Sequence, residues 1–442
     1  MNSEKTTREK SVGIAELVAP VTTASLQAAI DAASAQGGGR VSVPAGEWTI
    51  GTIWLKDGVD LHLGEGAVLK GSANLDDYND EDAYPQNWGS IAEGWSGKHL
   101  IVAHEVCNVA ITGKGTIDGN AEAFMDEPRD GMHFGNFAWR RGYLNARDRA
   151  NQKRPGQVVV FIESRGIRIA GVTMRNAPMW TCFLHGCEDV EIEGVTIDND
   201  LRHANTDGFD IDSCRNVRVS NCRISTGDDA FAIRGSPGRL RDTSRICENV
   251  EIRDCICATE ADGVRIGVGA GAIRDIRFKD IVFTEAGRAL LVQSCYPGAR
   301  YTGVAISDVV FENISIEESG HAIVVSAGTD QADTILENVT FRNVKAKTSG
   351  CVVVEGAGKT RPRGIVFEGL DLVLVDPVFP RASTKDWEVV GKGNELPAAI
   401  VVEKADDVRF GGVRLTRNCA ADDPRKNDIL IAGQTSCAEK RD

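Results

Sequence analysis

Aromatic residues make up only 6% of this 442-residue chain, and amphipathic helical patterns are almost absent, which leaves short strands as its main material. No run of about 18 apolar residues occurs, so no membrane-spanning helix is expected. The opening MNSEKTTREKSVGIAELVAP lacks the apolar stretch of a secretory signal, so a cytoplasmic address is expected unless a leader has been removed. Positive charge is in deficit, with 50 Lys and Arg against 64 Asp and Glu and a net charge of −14. That excludes bulk attraction to nucleic acid or to an anionic membrane. An acidic glycan would also be repelled at long range, and would need local basic groups. The twelve cysteines form no small-domain disulfide framework. Several sit inside apolar strand patterns, as in Asp254-Cys255-Ile256-Cys257, and read as buried free thiols suited to a reducing compartment. Cys255 and Cys257 are too close for a Cys-x-x-Cys zinc clamp, and no metal or cofactor is expected. With 42% hydrophobic residues the chain is far from the disordered class and long enough for a large core.

What is present is a repeat. Nine-residue units begin at Gly166 (GIRIAGVTM), Asp189 (DVEIEGVTI), Asn216 (NVRVSNCRI) and Asn249 (NVEIRDCIC), spaced by 23, 27 and 33 residues. Looser copies begin at Asn338, Gly364 and Asp407. Each unit alternates apolar and polar residues and turns at Asn, Asp or Gly. One unit cannot bury its own apolar face, whereas stacking in register buries a continuous core with rungs about 4.8 Å apart. β-Branched Val and Ile, without leucine at fixed offsets, point to an all-β parallel β-helix rather than a leucine-rich repeat. A single helix is expected at 23–36, with Leu26, Ala29, Ile30 and Ala33 on one face and Gly37-Gly38-Gly39 at its end. It would cap the open edge of the first rung.

Polar stretches at 75–99 and 120–156 interrupt the ladder. The second carries Phe124, Phe134, Phe137, Trp139 and Tyr143 with Arg140, Arg141, Arg147 and Arg149. Loops of this length in a solenoid form functional walls or edge covers; Phe134, Trp139 and Arg141 are candidates for a cleft wall. Smaller insertions span Ser236–Arg245 and Val375–Pro397. The expected organisation is an N-terminal extension at 1–20, one β-helix domain at 21–433 and a tail at 434–442.

The densest acidic pattern within the ladder is Asn205-Thr206-Asp207-Gly208 followed by Gly227-Asp228-Asp229. Asp207 and Asp228 are 21 residues apart, about one coil, which would bring them to neighbouring rungs. Asn205 and Asp207 share a face in an extended strand, and a bend at Asp228-Asp229 would turn both carboxylates to one side. Three carboxyl groups this close cannot all ionise at ordinary pH values, so one acid would stand beside ionised bases. Glycosidic bond cleavage needs that combination, an acid for the leaving oxygen and a base for water. Either motif alone can be an ordinary turn; the two together, one coil apart, point to a site. Calcium is a second use for clustered aspartates, but it takes six to eight oxygen ligands.

The two acidic motifs resemble the paired signature of glycoside hydrolase family 28, the polygalacturonase family. Gly115-Thr116-Ile117-Asp118-Gly119, Arg154-Pro155, Asn176-Ala177-Pro178-Met179-Trp180 and the opening from Ala28 to Gly46 resemble further segments of it. The resemblance implies a right-handed parallel β-helix and metal-free hydrolysis of a pectic carbohydrate with inversion, for which carboxyl groups stand about 6.5–9.5 Å apart. It implies Asp228 as general acid, with Asp207 and Asp229 activating water.

Two segments depart from the family. Where it carries Gly-His-Gly, this chain has Ala261-Asp262-Gly263. Where it carries Arg-Ile-Lys to grip a substrate carboxylate, this chain has Gly287-Arg288-Ala289-Leu290-Leu291-Val292-Gln293. Arg234, Arg265 and Arg288 are candidates to grip a uronate instead, since guanidinium suits bidentate capture of carboxylate. Asn205, His203 and Asp262 complete the candidate substrate-binding set, and Trp180 reads as a buried position. The leading expectation is an inverting hydrolase of α-linked, galacturonate-containing pectic chains, exo-acting if the long loops close one end of the groove. A lyase or epimerase on the same scaffold, and a non-catalytic glycan-binding β-helix, are the alternatives.

Overall fold

The structure is a computed structural model that describes residues 13–87, 96–124, 154–201, 203, 205–295, 303–328, 334–376, 398–423 and 425–432, and the backbone of 437–440. The alternating units form the rungs of a right-handed parallel β-helix, the hand that parallel crossover connections take. One coil runs through the strands Cys182–His185, Glu188–Glu193 and Thr196–Asp198, and the next through Phe209–Asp212, Arg215–Ser220 and Arg223–Thr226. Each strand pairs in parallel with its counterpart one coil on: Cys182 opposite Phe209, Val190 opposite Val217, Ile197 opposite Ile224. Three parallel faces therefore enclose one apolar interior, with Val190, Ile192, Val195 and Ile197 of one repeat stacked under Val217, Val219, Cys222 and Ile224 of the next, all buried.

Two kinds of ladder fix the rungs. Inside, Phe278, Phe311, Phe341, Phe367 and Phe410 stack one per coil, with ring centroids 4.9–5.3 Å apart. At the turns, asparagine and aspartate adopt the left-handed conformation that few residues other than glycine tolerate, as at Asp189, Asn216 and Asn249. Their side chains bond upward from coil to coil, Asn216 Nδ2 to Asp189 Oδ1 at 3.0 Å and Asn249 Nδ2 to Asn216 Oδ1 at 2.7 Å. The Asn and Asp that open each repeat are thus there for the backbone angle and the ladder together.

The helix spans Thr23–Ala35, opened by a capping box between Thr22 and Ser25. It buries Leu26, Ile30 and Ala33 against the first coils. Gln27 pairs its side-chain amide with the backbone of Trp54, accepting from Trp54 N at 2.7 Å and donating to Trp54 O at 3.0 Å. The helix thereby supplies an edge strand's missing hydrogen bonds. The ladder also runs past both ends of the 21–433 unit. Gly13–Glu16, within the expected extension, pairs with Gly39–Val43, and Cys437–Lys440, within the expected tail, pairs with Asp406–Gly411. Nine cysteines are buried as free thiols, and no disulfide occurs among the described residues.

Of the expected loops, 75–87 and 96–99 fold onto the outer face of the sheet, anchored by the buried Tyr78 and Tyr84. The insertion Ser236–Arg245 is clamped there by Arg241, whose backbone N–H reaches Glu163 and whose guanidinium reaches Glu105. Phe134, Trp139 and Arg141, and the stretch 377–397, lie outside the described residues.

Candidate active site

The strand Phe209–Asp212 lies between Cys182–His185 and Phe231–Gly235, and the register continues into the residues that precede each strand. Thr181 N donates to Asp207 O at 2.8 Å, Gly208 N to Asp229 O at 2.8 Å and Ala230 N to Asp262 O at 2.9 Å. Asp262 stands opposite Arg288, and Arg288 opposite His321. A single file therefore runs along the outer face: Trp180, Asp207, Asp229, Asp262, Arg288, His321. Asp228 joins it from the bend before Phe231. The hydroxyls of Thr226 and Thr259 both donate to Asp228 O, and Gly227 N donates to Thr206 Oγ1 at 2.9 Å. Gly227 admits no side chain, because a Cβ there would lie 2.0 Å from His203 O. The glycine and the three threonines thus make the bend that an ideal strand would not have. One carboxylate oxygen from each of Asp207, Asp228 and Asp229 lies within 4.8 Å of the others.

Asn205 completes the trio's frame. Its left-handed backbone, φ 60°, lets its N–H and its Nδ2 both donate to Asp228 Oδ2, at 3.1 and 3.3 Å. Asp229 N donates to Asp228 Oδ1 at 3.1 Å. Asn205 is itself held by Arg154, whose Nη2 donates to Asn205 Oδ1 at 3.0 Å while Nη1 donates to Pro178 O at 2.8 Å.

The electrostatics separate these carboxyl groups. Burial, then the charges of Asp228, Asp210 and Asp229, hold Asp207 well above the ordinary carboxylate range against the pull of Arg265. Asp229 is also raised well above it; burial is the largest cause, and it outweighs an ion pair with Arg265 at 3.0 Å. Asp262 goes the other way. Burial acts to raise it, but Arg288 and Arg265 together overcome that and hold it below the ordinary range. Oδ1 of Asp207 and Oδ1 of Asp229 are buried and meet no hydrogen-bond donor among the described residues. They are acceptors placed to take an O–H from water or sugar. The trio offers three acidic oxygens, short of the six to eight that calcium takes.

The structure redistributes the expected substrate-binding set. Asn205 belongs to the trio. Arg265 and Arg288 do not reach out for a uronate: both point at Asp262, Arg288 through Nε at 2.6 Å and Nη2 at 2.9 Å, Arg265 through Nη2 at 2.8 Å. All three are buried. Arg234 lies over the Trp180 ring, 4.5 Å from its centroid, near Asp210 and Asp212. His203 is buried beside the trio, its backbone oxygen accepting from Thr206 and its Nε2 3.6 Å from Glu122. The carboxyl separation is a further correction. The trio's nearest oxygens, within 4.8 Å, are closer than the 6.5–9.5 Å expected of an inverting pair. Arg154 and the threonines at 206, 226 and 259 escaped the sequence reading. Arg154-Pro155 stood out only as a family segment, and the threonines carry no acid–base chemistry.

On both sides along the axis the file is covered. Toward the N-terminus, Trp180 is 4% exposed, and the residues at the same position one and two coils back, Gln157 and His99, are fully buried. The 75–87 loop lies over them, with Tyr84 Oη 2.9 Å from His99 Nε2. Toward the C-terminus, Asp262, Arg288 and His321 are no more than 9% exposed.

The profile of glycosyl hydrolases family 28 matches residues 34–372. A probable polygalacturonase of Vitis vinifera is 30% identical over 202 residues, 45% of this chain and 37% of that protein, so the chain spans well under half of that relative's length. An endo-polygalacturonase of Pectobacterium carotovorum subsp. carotovorum is 23% identical over 65% of this chain and 76% of its own length. Among solved structures, the family 28 exopolygalacturonase of Yersinia enterocolitica superposes with a TM-score of 0.66 at 18% identity, covering 97% of this chain and 78% of that one.

Proposed function

The chain belongs to family 28 of the glycosyl hydrolases, and from that premise we propose that it removes terminal residues from α-linked, galacturonate-containing pectic oligosaccharides by acid–base hydrolysis with inversion. Asp228 is the proton donor: it passes its proton to the glycosidic oxygen as the bond to the anomeric carbon breaks. Asp207 and Asp229 hold the water. They occupy adjacent rungs, and a water bonded to both at about 2.7–2.8 Å spans about 4.5 Å between acceptors, close to the spacing of the trio. As the water oxygen attacks the anomeric carbon, its proton passes to one of these two carboxylates. Each turnover then ends with the proton returning from the water-holding carboxylate to Asp228, through solvent or a released hydroxyl.

The observation that carries the reading is the trio's place in register, with acceptor oxygens facing a common point and buried partners on either side. A groove for internal cleavage must let a polymer pass, whereas the covered file on both flanks of the trio favours a pocket that admits one chain end. The test is a product profile from a chain-length series of oligogalacturonides and rhamnogalacturonan fragments. Stepwise release of mono- or disaccharide from the outset is expected; early appearance of mid-length products would refute end-wise action. Proton NMR of the first product formed reads the stereochemistry. A β-anomer from an α-linked substrate is expected, and an α-anomer would make the closely spaced carboxylates a retaining pair. An ultraviolet-absorbing unsaturated product would replace hydrolysis with elimination.

A further inference from the structure

Beyond the trio, a buried line of alternating charge runs up the same file: Asp229, Arg265, Asp262, Arg288. Its junction is unusual. Arg265 Nε is 3.0 Å from Asp229 Oδ2 and 3.0 Å from Asp262 Oδ2. One N–H cannot serve both acceptors at full strength. Asp262 also takes Arg265 Nη2 at 2.8 Å and both arms of Arg288 at 2.6 and 2.9 Å. It is fully buried, where a carboxylate persists only if it is paired. We propose that Asp262 is a positioning residue that competes with Asp229 for Arg265, and so keeps Asp229 able to accept a proton from the attacking water. This rests on the hydrolytic reading above.

Removing either competitor shows why. Without Arg265, Asp229 would be a buried carboxyl facing Asp207, Asp210, Asp228 and Asp262. It would keep its proton and be useless as a base. Without the charge on Asp262, the whole of Arg265 would fall on Asp229, giving a tight pair and a poor base. The shared N–H sets an intermediate state. Arg288 keeps Asp262 charged for this purpose. The charged groups facing Asp262 are Arg265 and Arg288. The next residue in the file, His321, is lowered to about 4, chiefly by burial, and so adds no charge near neutral pH. The device is specific to this chain, since Asp262 stands where the family motif carries histidine.

The experiment follows proton binding at Asp229 directly. The full-length protein is labelled with 13Cγ-aspartate, the Asp229 resonance is identified by its loss in Asp229→Asn, and its titration is compared in Asp262→Asn and Arg265→Gln. Asp262→Asn should weaken proton binding at Asp229 and Arg265→Gln should strengthen it, each roughly tenfold or more. Opposite signs are the signature, because loosened packing would move both variants the same way. Shifts of the same sign, or none, overturn the proposal. If Asp262→Asn does not fold, Arg265→Gln still decides it: a weakening of proton binding there refutes it. The acid limb of kcat/KM on a cleaved oligosaccharide should follow the same two directions, with kcat lower in Asp262→Asn. Should the resonances move as expected while the wild type cleaves no pectic fragment, the hydrolytic reading fails and the charge device stands.

Discussion

Two ladders climb the same coil with opposite chemistry. The inner one repeats a single residue type: Phe278, Phe311, Phe341, Phe367 and Phe410 stack almost parallel. The outer one changes residue at every rung: Trp180, Asp207, Asp229, Asp262, Arg288, His321. Both use one rung spacing, about 4.8 Å. For apolar rings that spacing lets each copy reinforce the last. For carboxylates it forces like charges together, which costs stability and raises proton affinity. Stability and reactivity here come from one lattice, and the difference lies in whether the occupant of each rung gains or loses by resembling its neighbour.

The sharpest way to break the outer ladder is Asp228→Asn, nearly isosteric. It should cut kcat/KM by about 10²–10⁴-fold or more and leave the melting temperature almost unchanged; a variant retaining a tenth of wild-type rate would remove Asp228 from the chemistry. The inner ladder is broken by Phe341→Ala, which leaves a cavity between two stacked rings. A loss of roughly 3–5 kcal/mol is expected, read from the urea midpoint, with kcat/KM unchanged where the variant is folded.

The two ladders should also answer pH differently. Asp207 binds its proton more tightly folded than unfolded. Its contribution is therefore present in acid and is lost as pH rises from the unfolded value near 3.9 through the higher folded one, at about 1.4 kcal/mol for each tenfold difference in affinity. Relative to wild type, Asp207→Asn should gain melting temperature as pH rises toward neutral, while losing activity. Phe341→Ala should show a constant deficit across the same range. The smallest effect is expected for Asn205→Gly, which keeps the left-handed backbone but removes the side-chain bond to Asp228. A loss of roughly 1.5–3 kcal/mol of transition-state stabilisation, ten- to hundredfold in kcat, is expected; an unchanged kcat would make Asn205 a turn residue alone.

The inner ladder was the easier to read from the amino-acid sequence. Alternation at 166–174, 189–197, 216–224 and 249–257 is local, and the stacking follows because no single unit can hide its own apolar side. The trio was legible because two short motifs fall one coil apart. The arginines were not. Arg265 and Arg288 look like cations available to a uronate until the register places Asp262 opposite Arg288, and side-chain pairing across coils decides where they point. The closing of the file by residues 75–87 was hidden for a related reason. That stretch reads as polar, and only Tyr78 and Tyr84 signal that it packs down onto the sheet. Arg154 follows a long insertion, so nothing local connects it with Asn205, 51 residues on.

The trio is assembled across coils rather than along one strand, and this gives the molecule an uneven tolerance for growth. Duplicating or deleting an entire turn far from residues 180–321 only lengthens or shortens the cylinder, because each turn meets just its two neighbours. The same event between Asp207 and Asp228 would part the proton donor from one of the groups that steady its water. Inheritance can therefore copy this architecture in units of one turn almost anywhere, except across the few rungs that make it an enzyme.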